Sequence, residues 1–434
     1  MPFLCDFLGV DSLLNALSYM NAVTLARIAC TSRMGTVAAH EAQQRPSLLV
    51  LKGSLDTVAK ELREQLAARP TVVFLQYSLG QDDDEEEGEA AIADFVKKKL
   101  PPSAQVLGGH TMSLQCAWFP KDATRQKTTL DYRCKHDRCE VAILAATFPE
   151  AKAQAFHVPP ATSRDSDSED SYSEDEELED ISARAEHQES TSVAACEDDA
   201  RKCGYPSQGE CLRNSTREDE IRQLLNITPP PKVIVIHHAD RTGHLISKMQ
   251  AAYPEAAIIG GVVMGRRVLV SGAGQEPLAK KGIGALAISG NAPLFAMTCP
   301  FTGCASTAEK TVATCMKRAQ DTATENGESI LGALLFTCNA RGPHVFGSHA
   351  KDASLFQEQF PQAPLMGFYA AGEIGPSVDE DSDHAFLRGN ACLQGFTAVY
   401  GLFLVPSKRI PSIAFQRAML HGEVLEAFKD TQQT

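Results

Sequence analysis

Three stretches of this chain share one pattern, and that repetition limits what it can fold into more than any other feature. TVVFLQYS (71–78), a helical stretch, VLGGHT (106–111) and VAILAATF (141–148) match VIVIHHAD (233–240), a helix, IIGGVV (258–263) and IGALAISG (283–290). A looser third copy runs ALLFTCNARG (333–342), a helix from about Ala350, LMGFYAAGEIG (365–375) and CLQGFTAVYGLFLV (392–405). Each copy reads as strand, helix, a strand that carries Gly, and a closing strand. Repetition of such a unit predicts a duplicated architecture sharing a continuous core. Ahead of the first copy, SLLVLKG (47–53) reads as a strand and Leu55 to Leu66 as a helix, so an α/β domain is expected. The glycines at 108–109, 260–261 and 367 allow close backbone approach or a positive φ where each strand turns.

Two segments do not fit the pattern. Residues 7–40 read as helical, with Leu13, Leu14, Leu17, Leu25, Ile28 and Ala29 at helix-like intervals. A segment this short cannot bury its own apolar face and needs the downstream domain or another chain to cover it. Residues 157–231 are rich in Ser, Asp and Glu, poor in large apolar residues, and end in TPPPK. They cannot bury enough surface to offset the entropy of ordering, which predicts a disordered insertion. Within it, 164–180 holds ten acids against Arg164 alone, and Ser166, Ser171 and Ser173 each have an acid three residues on, a pattern open to an acid-directed kinase.

Composition narrows the function classes. The formal charge is −14, so the chain gains no counterion-release attraction for nucleic acid. No basic cluster precedes Arg27 and no apolar run approaches the length of a membrane span, so neither a secretory signal nor membrane insertion is expected. Thirteen cysteines without an export signal read as reduced thiols, and the compartment expected is cytoplasm or nucleus. CKHDRC (134–139) and CPFTGC (299–304) each pair two cysteines without the matching second pair that a zinc site needs. No cofactor or metal is expected, and no P-loop, GxSxG or HExxH motif argues for an enzyme.

The stretch densest in chemistry is FTCNARG (336–342) with MGFYAAGEIGP (366–376). Both follow expected strands and so fall on turns at one sheet edge, where open α/β folds place ligands. The candidate contacts there are Cys338, Asn339, Arg341, Gly342, Gly372 and Glu373. Arg341 could hold an anion in a bidentate pair, Glu373 could take an ammonium or hydroxyl, and Cys338 becomes a thiolate only if cationic neighbours lower its pKa. Against this stands a purely structural reading, in which Gly342, Gly372 and Gly375 are turn residues and Arg341 pairs with Glu373 to close the core. The equivalent turn of the second copy, HHADRTGH (237–244), adds Asp240 and Arg241 as candidates. His237 and His238 are adjacent on a strand and point to opposite faces, which argues against a shared metal, and Asp240 or Thr242 suits a helix cap.

Two resemblances follow from these motifs. FLGVDSLLNALSYMNAVTLARIACTSRM (7–34) resembles an F-box, with Leu8, Asp11, Leu13, Leu14, Leu17, Ser18, Tyr19, Leu25 and Cys30 on the pattern; Gly9 stands in place of Pro and Met34 in place of Trp. GALLFTCNARG, PLMGFYAAGEIGP and AIIGGVV resemble the FIST family, whose two halves would cover roughly 47–150 and 232–410. Together they imply an α/β (α+β) chain divided into 1–45, F-box-like; 46–156 and 232–300, the FIST N-terminal half; 157–231, the acidic insertion; and 301–434, the FIST C-terminal half. They imply a substrate receptor of a Skp1–cullin ubiquitin ligase, docking Skp1 through Leu8, Leu13, Leu14, Leu17, Tyr19, Leu25 and Ile28 and holding a protein target on the FIST domain. The alternative is a FIST-type sensor of a small ligand, amino acids among the candidates, without ubiquitin function.

Overall fold

The structure is a computed structural model that describes residues 46–65, 70–79, 85–111, 113–118, 127–132, 140–158, 227–238, 244–263, 267–272, 277–280, 282–290, 294–301, 304–348, 350–377 and 390–407. The F-box-like segment, CKHDRC, Asp240, Arg241, Thr242 and all but the ends of the expected insertion lie outside these residues. The ends of that insertion are structured, since residues 157 and 158 close a strand and residue 231 opens another.

The expected α/β class is borne out, and the three copies prove to share one wiring. In the first, β2 (Val72–Ser78) and β3 (Gln105–His110) run parallel, joined through α2 (Glu85–Lys99), after α1 (Leu55–Gln65). The closing strand β6 (Glu140–Thr147) lies antiparallel beside β2, and β1 (Ser47–Gly53) lies antiparallel beside β6. The second copy repeats this with β8 (Pro231–His238), α3 (His244–Ala252), β9 (Ala257–Val262), the closing strand β12 (Ile283–Gly290) and the outer strand β7 (Ala151–Val158). The third uses β14 (Glu328–Cys338), β15 (Leu365–Ala370), β18 (Thr397–Pro406) and β13 (Leu294–Pro300), with α4 (Ala305–Glu325), α5 (Pro343–Phe346) and α6 (Lys351–Gln359). The insertion falls inside the second copy, between β7 and β8, where the other two copies carry α1 and α4.

Each copy also sends two strands to another copy's sheet. β4 (Ser113–Trp118) with β5 (Lys127–Tyr132) extends the third sheet by pairing with β15. β10 (Val268–Ser271) with β11 (Leu278–Lys280) extends the first by pairing with β3. β16 (Glu373–Pro376) with β17 (Ala391–Gln394) extends the second by pairing with β9. Three six-stranded sheets result, each completed by a neighbour. The exchange closes in a cycle.

Burial divides accordingly. One apolar cluster joins inward-facing residues of all three sheets, among them Phe74, Leu107, Leu114, Val235, Ile259, Phe336, Phe368 and Phe403. The outer faces are covered separately: α1 and α2 on the first sheet through Val58, Leu62, Ile92 and Phe95, α3 on the second through Ile246 and Met249, and α4 and α6 on the third through Val312, Met316 and Phe356. α2 begins ahead of its apolar residues Ile92, Phe95 and Val96, with Glu85, Glu86 and Glu87 in its first turn, where negative charge suits the helix dipole. The longest helix among the described residues, α4, carries a sequence signal in the i, i+4, i+8, i+11 spacing of its buried Ala308, Val312, Met316 and Ala319.

The repeated glycines serve close approach, not positive φ. Gly108, Gly260 and Gly367 stand opposite Leu75, Ile236 and Leu335 on the parallel neighbour. A Cβ at each would meet that residue's carbonyl oxygen at 2.5, 1.9 and 2.2 Å, which no backbone can accept. One residue further on, Gln76, His237 and Phe336 are in equivalent register and converge. Gln76 Nε2 lies 3.1 Å from His237 Nε2, and His237 packs edge-on against Phe336 and Phe368 at 6.2 and 5.5 Å. An amide N–H can only donate, so that ring nitrogen accepts, which requires neutral imidazole; burial lowers the His237 pKa to about 4. His238 turns to the opposite face, as strand alternation demands, and among the described residues no cluster of His, Cys, Asp and Glu fit to hold a metal ion occurs.

Candidate functional site

β14 ends at Cys338 and passes through a 3-10 turn, Asn339–Arg341, into Gly342, whose carbonyl accepts from Val345 and Phe346 N–H and so opens α5. This turn directs Arg341 inward, where its side chain is fully buried against Asp352 in the first turn of α6. Arg341 Nε donates to Asp352 Oδ2 at 3.0 Å and Nη2 to Oδ1 at 2.7 Å. Nη1 donates to the Phe396 carbonyl at 3.4 Å, and the Phe346 ring lies 5.3 Å from the guanidinium. The fork that could have held an external anion is therefore occupied, and its partner is Asp352 rather than Glu373. Sequence could not separate the two acids, since Asp352 stands eleven residues on, in the first turn of α6 behind the αL residue Ala350, and reaches Arg341 only in the folded chain.

Glu373 opens β16 on the inward face and is fully buried. Its Oε2 accepts from Thr397 N–H at 3.2 Å and from Thr397 Oγ1 at 2.9 Å, while Oε1 has no partner. Burial pushes its pKa up to about 8, although the Thr397 bonds, the Arg341 charge and the Cys338 thiol each draw it back. It is a neutral carboxylic acid near pH 7. Cys338 is half-buried, and burial together with the nearby Glu373 raises its pKa to about 11, so it is a thiol and not the thiolate that an Arg341 neighbour could have produced. Asn339 is half-buried on the same turn. Gly372 is a tight corner whose carbonyl accepts from Val262 N–H at 2.9 Å. Gly375 lies within β16 instead of a turn, where a Cβ would meet Thr298 and Val399 at 2.8 Å.

The register shows what is distinctive here. Glu373 stands opposite Gly261 on β9, as Val268 stands opposite Gly109 on β3 and Leu114 opposite Phe368 on β15. These are equivalent slots in the three sheets. Two hold an apolar side chain, and the third holds a buried acid.

Two residues of the site carried no sequence signal. Thr397 and Phe396 sit in QGFTAV, which reads only as a strand with a Gly. Gly395 and Phe396 are the entire crossing between β17 in the second sheet and β18 in the third. Cys299 is buried and Cys304 exposed, so CPFTGC does not gather its thiols. Among the described residues no helix is long and apolar enough to cross a membrane.

Comparison with known proteins points to the same region. Residues 284–376 match the family described as FIST C domain. An uncharacterized protein of Mycobacterium bovis is 48% identical over 73 residues, covering 17% of this chain and 16% of that protein. An uncharacterized protein of Mycobacterium tuberculosis is 45% identical over 74 residues, 17% of each chain. This chain thus spans about one sixth of the length of these relatives. The FIST C domain match at residues 284–376 runs from β12 to β16 and holds every described residue of the site except Thr397 and Phe396.

Proposed function

We propose that the chain is a recognition subunit and not an enzyme: residues 8–34 dock Skp1 and thereby a cullin ubiquitin ligase, and the folded body holds the protein to be ubiquitinated and degraded. The observation that supports recognition over catalysis is the self-pairing of the site. Arg341 is fixed on Asp352 and Cys338 is held as a thiol, so neither is poised to react. The docking half rests on the F-box resemblance of 7–34, placed directly ahead of the body. This reading implies a working place in cytoplasm or nucleus. Its test is co-purification of Skp1 with the full chain, expected to be lost on Leu14→Asp with Leu17→Asp; a wild-type chain indifferent to Skp1 rejects it.

A second reading has its own support. The resemblance to a sensor family and a buried acid with one oxygen unpartnered suit a small polar ligand, a hydroxyl meeting the neutral acid and an ammonium binding with release of the acid's proton. Thermal-shift measurements with amino acids and small amines test it, since a ligand at a hundred times its Kd stabilises by about 2.7 kcal/mol. The shift is expected to vanish in Glu373→Gln, and a shift unchanged by that substitution would reject Glu373 as the contact.

A further inference from the structure

The outer faces of the three sheets are not covered alike. The first sheet's outer cluster takes residues from α1 and α2, and the third sheet's from α4 and α6. Among the described residues, the second sheet's outer cluster takes helix residues from α3 alone, Leu245, Ile246, Met249 and Ala252. That sheet runs β17-β16-β9-β8-β12-β7, and α3 packs most against β17. Six strands spaced ~4.8 Å apart span roughly 24 Å, whereas one helix is about 10 Å wide, so α3 cannot reach across. Yet on the far side Ala285 and Ala287 of β12 are 0% exposed and Phe156 of β7 is 5% exposed.

The wiring says which part of the chain lies there. In the first copy the segment between β1 and β2 is α1, which packs on β1 and β6; in the third the segment between β13 and β14 is α4. The second copy's equivalents of β1 and β6 are β7 and β12, and the segment in question is the one that leads into β8. Its last residues already lie on this face. Ile227 packs against the outer cluster, and the Thr228 carbonyl accepts from Lys152 Nζ of β7 at 3.1 Å. The compact unit that holds the three sheets takes the chain up again at Arg217. Residues 217–226, REDEIRQLLN, lie outside the described residues, and their sequence suits the role. Ile221, Leu224 and Leu225 recur at i, i+3 and i+4, acids fill the first turn, and Pro229 follows as a stop. We infer that residues 217–226 dock as a helix over β7 and β12, the second copy's counterpart of α1 and α4. The insertion then has two parts with separate roles, the stretch up to Thr216 and a closing segment that completes the body.

Photocrosslinking and stability measurements on the full chain test it. Benzoylphenylalanine placed at 225 keeps an apolar side chain at that position, and its adduct, sequenced by mass spectrometry, is expected within 151–158 or 283–290. An adduct elsewhere on the chain, an adduct on another protein, or none at all overturns the proposal. Leu224→Asp with Leu225→Asp puts two charges on the docked side and should lower the urea midpoint by about 1 M, while Gln223→Asp on the opposite side leaves it unchanged. Excising 160–215 and closing the gap with a flexible Gly-Ser linker should also leave the midpoint unchanged, whereas excising 160–226 should lower it. Equal midpoints for the Leu and Gln variants, or for the two excisions, would show that the segment supports nothing and would overturn the proposal. A double Asp variant that fails to fold while Gln223→Asp folds is the expected result at its extreme, and the crosslink from 225 then decides independently.

Discussion

The junctions between sheets can be compared at a single slot. Leu114 of the third sheet and Val268 of the first fill it with hydrocarbon, and both are buried in the shared inner core. Glu373 of the second fills it with a carboxylic acid, gripped through one oxygen by Thr397. The wiring around all three is the same, so the backbone does not demand the acid. In the third copy the slot is tied to the adjoining crossing: Glu373 holds Thr397, the residue that follows Phe396 with its φ of 58°. The apolar slots make no such polar contact, since Leu114 and Val268 carry hydrocarbon only.

The largest effect should come from copying the acid into a slot that lacks its support. Leu114→Glu buries a carboxyl without the Thr397 contacts and is expected to cost about 4 kcal/mol or more, read as loss of soluble chain or a collapsed urea midpoint. A variant as stable as wild type would show that the slots do not differ in their surroundings. Next, Asp352→Ala leaves Arg341 buried without its counter-charge and should cost about 3–5 kcal/mol in the same measurement. Gly260→Ala drives a methyl group onto the Ile236 carbonyl and should cost about 1–3 kcal/mol or somewhat more; a neutral outcome would contradict the shared close approach of the three parallel pairs.

The most diagnostic effect is a dependence on pH and not a single loss of stability. Between pH 4.5, its ordinary value, and about 8, Glu373 keeps a proton in the folded state that the unfolded chain releases. The unfolded state then binds fewer protons, so this group's contribution to stability is complete at low pH and declines as pH rises through that window. Glu373→Gln removes the titration. The stability of the variant relative to wild type should therefore climb with pH, by at most about 1.4 kcal/mol per unit, and level off above about pH 8. Parallel stability curves for the two proteins would show that the acid is not held neutral.

Much of the fold was legible because it is local. Strand and helix periods in 71–111, 233–263 and 333–375 marked the three copies, and the glycine in each second strand marked the close parallel pairs. The exchanged strands were not legible, because SLQCAW and VLVS carry no mark of which copy they pair with; that choice is settled by side chains far away in sequence. The site was half legible. Cys338, Arg341, Gly342 and Glu373 do gather at one end of β14 and β16, but Arg341 takes Asp352, and the crossing at Phe396 shows only once two sheets are built around it.

The cyclic exchange also sets a schedule. As the chain leaves the ribosome, β4 emerges long before its partner β15, and Leu114 has to wait for Phe368 before it has a neighbour to lie against. No sheet but the first can be completed before the third copy has been made, and that one needs the second. Nascent chains therefore carry open strand edges and uncovered apolar faces for most of synthesis, the condition under which aggregation competes with folding. Fragments ending ahead of β15 should be insoluble, and the protein's yield in a cell should track chaperone supply more than the strength of any single contact.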